Sequence, residues 1–535
     1  MRRTLTLALL ATLALAAPSE AAERTGRWLV LGDSAQGARA ALASAVSASG
    51  ARTAGKGVPR LGIATVRGPR AAISALGRAP GVARIVPEYR REFRRTPSDP
   101  GFGATETAPR TPSGTPLQWA LRRMRFPEAW DTADGAGMLV GIIDSGIDAG
   151  HPELSGKIAS SRVLGGTNAG SDEDGHGTHV SGLACAATDN GSGLAGAGFH
   201  CRIAFYKAPQ LRDEDIVAAI VDASDRGAVA INMSFGGGDP SPAIDRAIEY
   251  ALARDVVLVA SAANEQVDDQ GTPASQLQPN DGPDLDAGRG LVVTAADFSD
   301  RRPRTGRGRQ ISLAAYGFFD ETDGPPGLVS TYTGLATARE ILLCGCRTSF
   351  GGDSRYAYLQ GTSMAAPQVT AAVALVAQAN PLLSARDRMR VIKETAQRGG
   401  GGWTADRGWG ILDAGAAVEA ARRVDRTAPS SRARARRSQR LRRRGRTYIR
   451  VGVRGSDEPG APRLVASGVR RYEIWLRRGR GRYRRAGTAS ARHRVRRVRV
   501  SRSGRYSLYT RAIDAAGNRE AVPRRPDARV TVRAR

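Results

Sequence analysis

The run Met138-Leu139-Val140-Gly141-Ile142-Ile143 carries no polar side chain and stops on Asp144-Ser145-Gly146. A strand that is apolar on both faces must be covered on both, which is the situation of a parallel sheet between two layers of helix. The same grammar recurs downstream. Strands are expected at Arg202–Ala208, Ala228–Ser234, Val256–Ala260, Val292–Ala296 and Ile311–Ala315, with helices at Ser181–Ala187, Asp213–Arg226 and Ser241–Arg254. Such alternation predicts an α/β domain with a doubly wound parallel sheet. Its functional residues belong in the crevice beyond the carboxyl ends of the strands.

Three polar islands fall where that crevice should be. They are Ile142-Ile143-Asp144-Ser145-Gly146-Ile147-Asp148, Asp174-Gly175-His176-Gly177-Thr178-His179-Val180 and Gly361-Thr362-Ser363-Met364-Ala365-Ala366-Pro367. In the third, a Gly-led turn presents a serine ahead of the small apolar run Val369–Ala379, which reads as a buried helix with Pro367 in its first turn. A serine at a helix N-terminus is commonly a cap. It becomes a nucleophile when a base takes its proton and a carboxylate fixes that base. His176 suits the base and Asp144 the orienting acid. Asn264, at the end of its strand, is placed to donate to an oxyanion together with the Ser363 N–H. Asp148 reads as a loop residue and His179, one helical turn beyond His176, as structural.

The flanks differ from this middle. Residues 1–22 combine Met1-Arg2-Arg3, the apolar run Leu5–Ala17 and a small-residue end, the pattern of a secretory signal peptide. No later run is long enough for a membrane span, so a secreted, extracellular chain is expected. Residues 23–95 read as a small α+β unit, including a helix over Ala35–Ser47, and 96–116 as a Pro/Gly/Ser/Thr linker. The α/β domain covers 117–424. An Arg-rich linker is expected over 425–446 and a small all-β sandwich over 447–535. From Arg426 onward there are 35 arginines, no lysine and six acids; that excess of 29 equals the whole chain's formal charge, so residues 1–425 are neutral. Such a charge reads either as a solvated Arg-rich surface without a partner or as attraction to polyanions, among them anionic cell-surface polymers. Four cysteines in an exported chain suggest disulfides, and proximity pairs Cys185 with Cys201 and Cys344 with Cys346.

The islands, in the order Asp–His–Ser, resemble those of subtilisin-like (subtilase) serine proteases. The likeness covers about residues 117–424 and includes Gln118-Trp119, Gly193-Leu194-Ala195-Gly196, Ser234-Phe235-Gly236-Gly237 and Gly408-Trp409-Gly410-Ile411-Leu412-Asp413-Ala414. It implies Asp144, His176 and Ser363 as a catalytic triad, Asn264 as the oxyanion residue, and Ser234, Phe235 and Gly236 as an edge strand pairing with the substrate backbone. It also implies a monomeric, autoprocessed precursor acting on polypeptides. Residues 27–93 are similar to the inhibitory propeptide of that family, and the C-terminal module looks like immunoglobulin- or fibronectin-type appendages. No cofactor is needed for such chemistry; structural calcium would draw on Glu153 and Asn190. Glu265, next to Asn264, reads as a solvated loop acid or as a carboxylate near the pocket for the side chain before the scissile bond. Three positions depart from the family pattern: Ala263 replaces a Gly before the Asn, Gln368 a frequent His, and Ala315-Tyr316-Gly317 an Ala-Pro-Gly.

Overall fold

The computed structural model describes residues 22–32, 50–55, 57–58, 61–91, 96–164, 171–320, 323–342, 344, 346–397, 401–436, 438–439, 441–443, 446–459, 464–491 and 493–533. They fall into two compact units, Met1–Arg94 and Arg95–Arg535. The expected signal segment, up to residue 21, and the helix expected over Ala35–Ser47 lie outside the described residues.

In the N-terminal unit, strands β1 (Ala22–Gly32), β2 (Arg52–Thr53), β3 (Ile63–Arg67) and β4 (Val82–Arg91) form an antiparallel sheet in the order β2-β3-β1-β4. Helix α1 (Arg70–Leu76) supplies Ala72, Ile73 and Leu76 to a small core with Val30 and Val66.

The second unit is built on seven parallel strands: β5 (Leu139–Asp144), β6 (Ile158–Val163), β7 (Arg202–Lys207), β8 (Ala230–Met233), β9 (Val257–Ser261), β10 (Leu291–Ala296) and β11 (Leu313–Tyr316). Their order is β11-β10-β9-β8-β5-β7-β6. Strands β6 and β7 lie on one side of β5 and β8 to β11 on the other, so a crevice opens at the carboxyl end of β5. Along β5 the side chains alternate between two cores. Val140 and Ile142 join one that contains helix α2 (His176–Cys185); Ile143 joins another, beneath α3 (Asp213–Asp225) and α4 (Pro242–Leu252). Three further strands, β12 (Leu328–Thr331), β13 (Arg347–Phe350) and β14 (Asp353–Leu359), form a small sheet with the short helix α5 (Ala338–Leu342) between the first two. Helix α6 (Thr362–Ala379) runs through the first core and is buried on nearly every side, which its Ala-rich sequence permits.

Two expected linkers are structured. Phe102, in 96–116, is 1% exposed within the main core and packs against Trp130, ring centroids 5.7 Å apart and planes tilted by 57°. Composition hid it: one aromatic anchor orders a segment otherwise rich in turn formers. Within 425–446, Ser430–Arg434 forms β15, paired with β18 (Arg446–Ser456) after the short strands β16 (Ser438–Gln439) and β17 (Leu441–Arg443). Five more strands, β19 (Val469–Arg478), β20 (Arg484–Ser490), β21 (Val495–Val500), β22 (Gly504–Asp514) and β23 (Ala528–Val532), complete the module. One sheet groups β15, β17 and β21 around β18; the other runs β16-β23-β22-β19-β20. The two share one core, so the module is all-β. Where it meets the α/β domain, the Asp425, Asp457 and Asp514 carboxylates lie within 4.8 Å of one another, and Asn518 Nδ2 donates to the Asp425 carbonyl and to Asp514. Cys185 pairs with Cys201, and Cys344 with Cys346.

Candidate active site

Asp144 is the last residue of β5 and is 4% exposed. Its Oδ1 accepts from the Ser145 N–H at 2.8 Å and faces His176 Nδ1 at 2.7 Å. His176 opens α2, five residues before the helix was expected. Gly175 caps that helix at φ +85°, and Gly177 lets it approach β5: a Cβ on Gly177 would lie 2.1 Å from the Gly146 carbonyl. Burial would lower the basicity of the imidazole, but the Asp144 charge and hydrogen bond outweigh it and hold the pKa of His176 above its usual value. With Nδ1 committed to Asp144, Nε2 is the nitrogen left for a second partner.

One residue essential to this geometry was not singled out from sequence. Asp172 is fully buried. Its carboxylate accepts from the Gly175 N–H at 2.9 Å, the Thr178 N–H at 2.8 Å, the Thr178 hydroxyl at 2.7 Å and the Ser145 hydroxyl at 2.9 Å. It therefore ties the end of β5 to the start of α2. The only signal was a third acid, beside Asp174, ahead of the His.

Ser363 is the second residue of α6, not a residue ahead of it. Pro367 accordingly sits in the second turn rather than the first. It lacks the N–H that would bond the carbonyl four residues back, which is that of Ser363. The Ser234 hydroxyl takes that carbonyl at 2.9 Å, and the Ser363 hydroxyl donates to the Ser234 carbonyl at 3.1 Å. Ser234, Phe235 and Gly236 follow β8 beyond its last residue, Met233, and line the cleft.

Asn264 follows β9. Its Oδ1 accepts from the Thr362 N–H at 3.0 Å, which fixes the amide so that Nδ2 is turned away from α6's first N–H. Ala263 has no left-handed backbone angle, so the extra methyl imposes no strain there. Its N–H donates to Gln270 Oε1 at 3.1 Å, while Gln270 Nε2 donates to the Val267 and Arg307 carbonyls at 3.0 and 2.8 Å. Gln270, another residue unmarked in sequence, thus holds the loop that carries Asn264. The other two departures touch each other: Gln368 Nε2 donates to the Tyr316 carbonyl at 2.7 Å.

Asp144, His176, Ser234, Phe235, Gly236, Asn264 and Ser363 line a single cleft of about 660 Å³, together with Glu265 and Asp269. His179 does not join them. It is fully buried, its Nε2 meets the Leu328 and Ala357 carbonyls at 3.0 and 3.1 Å, and burial pushes its pKa down to about 3. Asp148 is a loop residue, accepting from Gly150 and Gly334.

Glu153 lies elsewhere. It is fully buried and neither carboxylate oxygen receives a hydrogen bond. Burial, then the charge of Asp99, pushes its pKa up to about 7. Asp99, itself 2% exposed, accepts from the Asp189 N–H at 2.7 Å and the Asn190 N–H at 3.4 Å; Asn190 Oδ1 accepts from the Ser192 N–H at 2.8 Å. Among the described residues neither Glu153 nor Asp99 forms an ion pair. The two orphaned oxygens of Glu153, beside a second buried carboxylate, fit a hard divalent cation.

The subtilase (peptidase S8) family model matches residues 135–410, just over half of the chain. The thermophilic serine proteinase of Bacillus sp. (strain AK1) is 30% identical over 318 residues, 57% of this chain and 66% of that protein. Thermitase of Thermoactinomyces vulgaris is 27% identical over 309 residues, 57% of this chain and 92% of the relative. A solved protease from Pseudoalteromonas arctica superposes with a TM-score of 0.50 at 28% identity, covering 61% of this chain and all of the other. The α/β core, the three islands and these likenesses agree: the chain belongs to the subtilase family.

Proposed function

We propose that this chain is a secreted serine endopeptidase made as an inactive precursor. The observation that carries the reading is the 2.7 Å contact of Asp144 with His176 Nδ1, at the floor of a cleft shared with Ser363 and Asn264. In this mechanism the Ser363 hydroxyl leaves the Ser234 carbonyl, passes its proton to His176 Nε2 and attacks the peptide carbonyl. Asp144 holds the imidazolium. Asn264 Nδ2 and the Ser363 N–H receive the oxyanion. His176 then protonates the leaving amine, and water releases the acyl-enzyme. The substrate backbone pairs with Ser234, Phe235 and Gly236. Glu265 and Asp269 bias the cleft toward basic side chains.

Export is supported by the N-terminal pattern and by two disulfides. The N-terminal unit is read as the inhibitory propeptide. Its last strand runs to Arg91, while Ser98 and Asp99 are already tied to the 189–191 loop. Processing therefore belongs within residues 92–97, which contain Arg94 and Arg95. Calcium would be held by Glu153 and Asp99, with Asn190 beside them, and would compensate their buried charge. The basic module would hold the enzyme on anionic cell-surface polymers.

The test is Ser363→Ala. Wild type labels with a fluorophosphonate at Ser363 and hydrolyses casein; the variant folds but does neither, and stays unprocessed. Casein hydrolysis by the variant at the wild-type rate rules out this assignment.

A further inference from the structure

The cleft wall beside His176 is made by a segment outside the three islands. Between β12 and β13 the chain forms a lobe, and its α5 presents Arg339 to the cleft. Arg339 Nε and Nη2 donate to the Asp174 carboxylate at 3.0 and 3.2 Å. Asp174 lies two residues before His176, whose N–H approaches Asp174 Oδ1 at 3.3 Å. The lobe grips the same loop a second time: the Tyr332 hydroxyl contacts the Asp174 carbonyl at 3.2 Å, and a Cβ on Gly175 would lie 2.3 Å from the Tyr332 ring.

The lobe itself is braced. Arg347 binds Glu340 through two hydrogen bonds of 2.7 and 2.8 Å, and also donates to the Thr333, Leu335 and Ser354 carbonyls at 2.9, 2.7 and 3.1 Å. The Cys344–Cys346 disulfide closes its far end. So many bonds on one short segment hold a cation at a chosen place.

We propose that this lobe is a positioning element for His176, and that Arg339, through its ion pair with Asp174, sets the charge the imidazole experiences. The inference rests on His176 being the general base. The groups that act on it are Asp144 from β5, Asp172 and Asp174 from the loop before α2, His179 from the next turn, Ser363 from α6 and Arg339 from the lobe. Asp144 and Asp174 favour the imidazolium; Arg339 opposes it. The two ends of one ion pair therefore push the base in opposite directions.

The experiment is kcat/KM against pH on a chromogenic peptide for the processed enzyme and its Arg339→Gln, Arg339→Lys and Asp174→Asn variants. Arg339→Gln is expected to move the midpoint of the acid limb up by about half a unit, roughly a threefold loss well below the midpoint. Asp174→Asn, which keeps the size of the side chain, moves it down by a similar amount. Arg339→Lys restores the wild-type midpoint. Shifts in the same direction, or midpoints that stay fixed while the plateau falls, overturn the proposal. Fluorophosphonate labelling of each variant reports an intact site. If wild type neither labels nor turns over, the peptidase reading fails instead.

Discussion

The α/β domain and the C-terminal module distribute charge in opposite ways. In the α/β domain a few carboxylates are buried at strand and loop ends, and each has its own neighbours: Asp144 beside His176, Asp172 across two islands, Glu153 near Asp99 and Asn190. In the module the positive charge is exposed and repeated. Register sets Arg450 opposite Arg497 and Tyr448 opposite Arg499 on neighbouring strands, and the buried Glu473 accepts from Trp475 Nε1 at 3.3 Å and meets Arg485 and Arg519 at 3.3 and 3.5 Å. Facing arginines weaken a sheet rather than stabilise it. Burial makes single charges matter; repetition makes a field in which no single charge does.

If that contrast holds, single substitutions should be severe in the first region. Asn264→Ala is expected to lower kcat by about 10²–10³, the usual cost of removing one oxyanion donor, with KM little changed. A loss of less than tenfold would remove Asn264 from the oxyanion role.

A smaller effect concerns Glu153. Its carboxyl titrates near 7 in the metal-free fold and near 4.5 unfolded. The unfolded chain thus releases this proton first, and metal-free stability falls as pH rises from about 4.5 to 7. A bound cation keeps Glu153 ionised and removes that penalty. The rise in Tm on adding calcium should therefore be greater at pH 8 than at pH 5, by several degrees, an effect of a few kcal/mol. Equal shifts at both pH values, or none, would contradict a site at Glu153.

The smallest effect on chemistry is expected from the largest change in charge. Removing residues 427–535 should leave kcat/KM on short peptides within about twofold, since no described residue of the module lines the cleft. The same deletion should abolish low-salt retention on an anionic polymer such as teichoic acid. Retention that survives it would place the binding elsewhere.

Sequence alone reached the sheet, the three islands and Asn264, because continuous apolar runs and short motifs are local. It missed what depends on distant partners. Asp172 and Gln270 matter through bonds made across loops, which no spacing announces. The start of α2 at His176 was hidden because Gly177 reads as a breaker, although here it permits contact with β5. Ser430–Arg434 looked like a linker because its arginines point to solvent while only Ala433 enters the core.

The paired bonds between Ser234 and Ser363 have a last consequence. At rest the Ser363 proton is given to the backbone carbonyl of Ser234, on the segment to which substrate is proposed to bind. A peptide aligning along that segment brings its own N–H to the same oxygen and competes for it. The hydroxyl that loses the competition turns toward His176. On the proposed binding mode, arrival of a substrate and release of the nucleophile's resting bond would be one exchange at one oxygen atom.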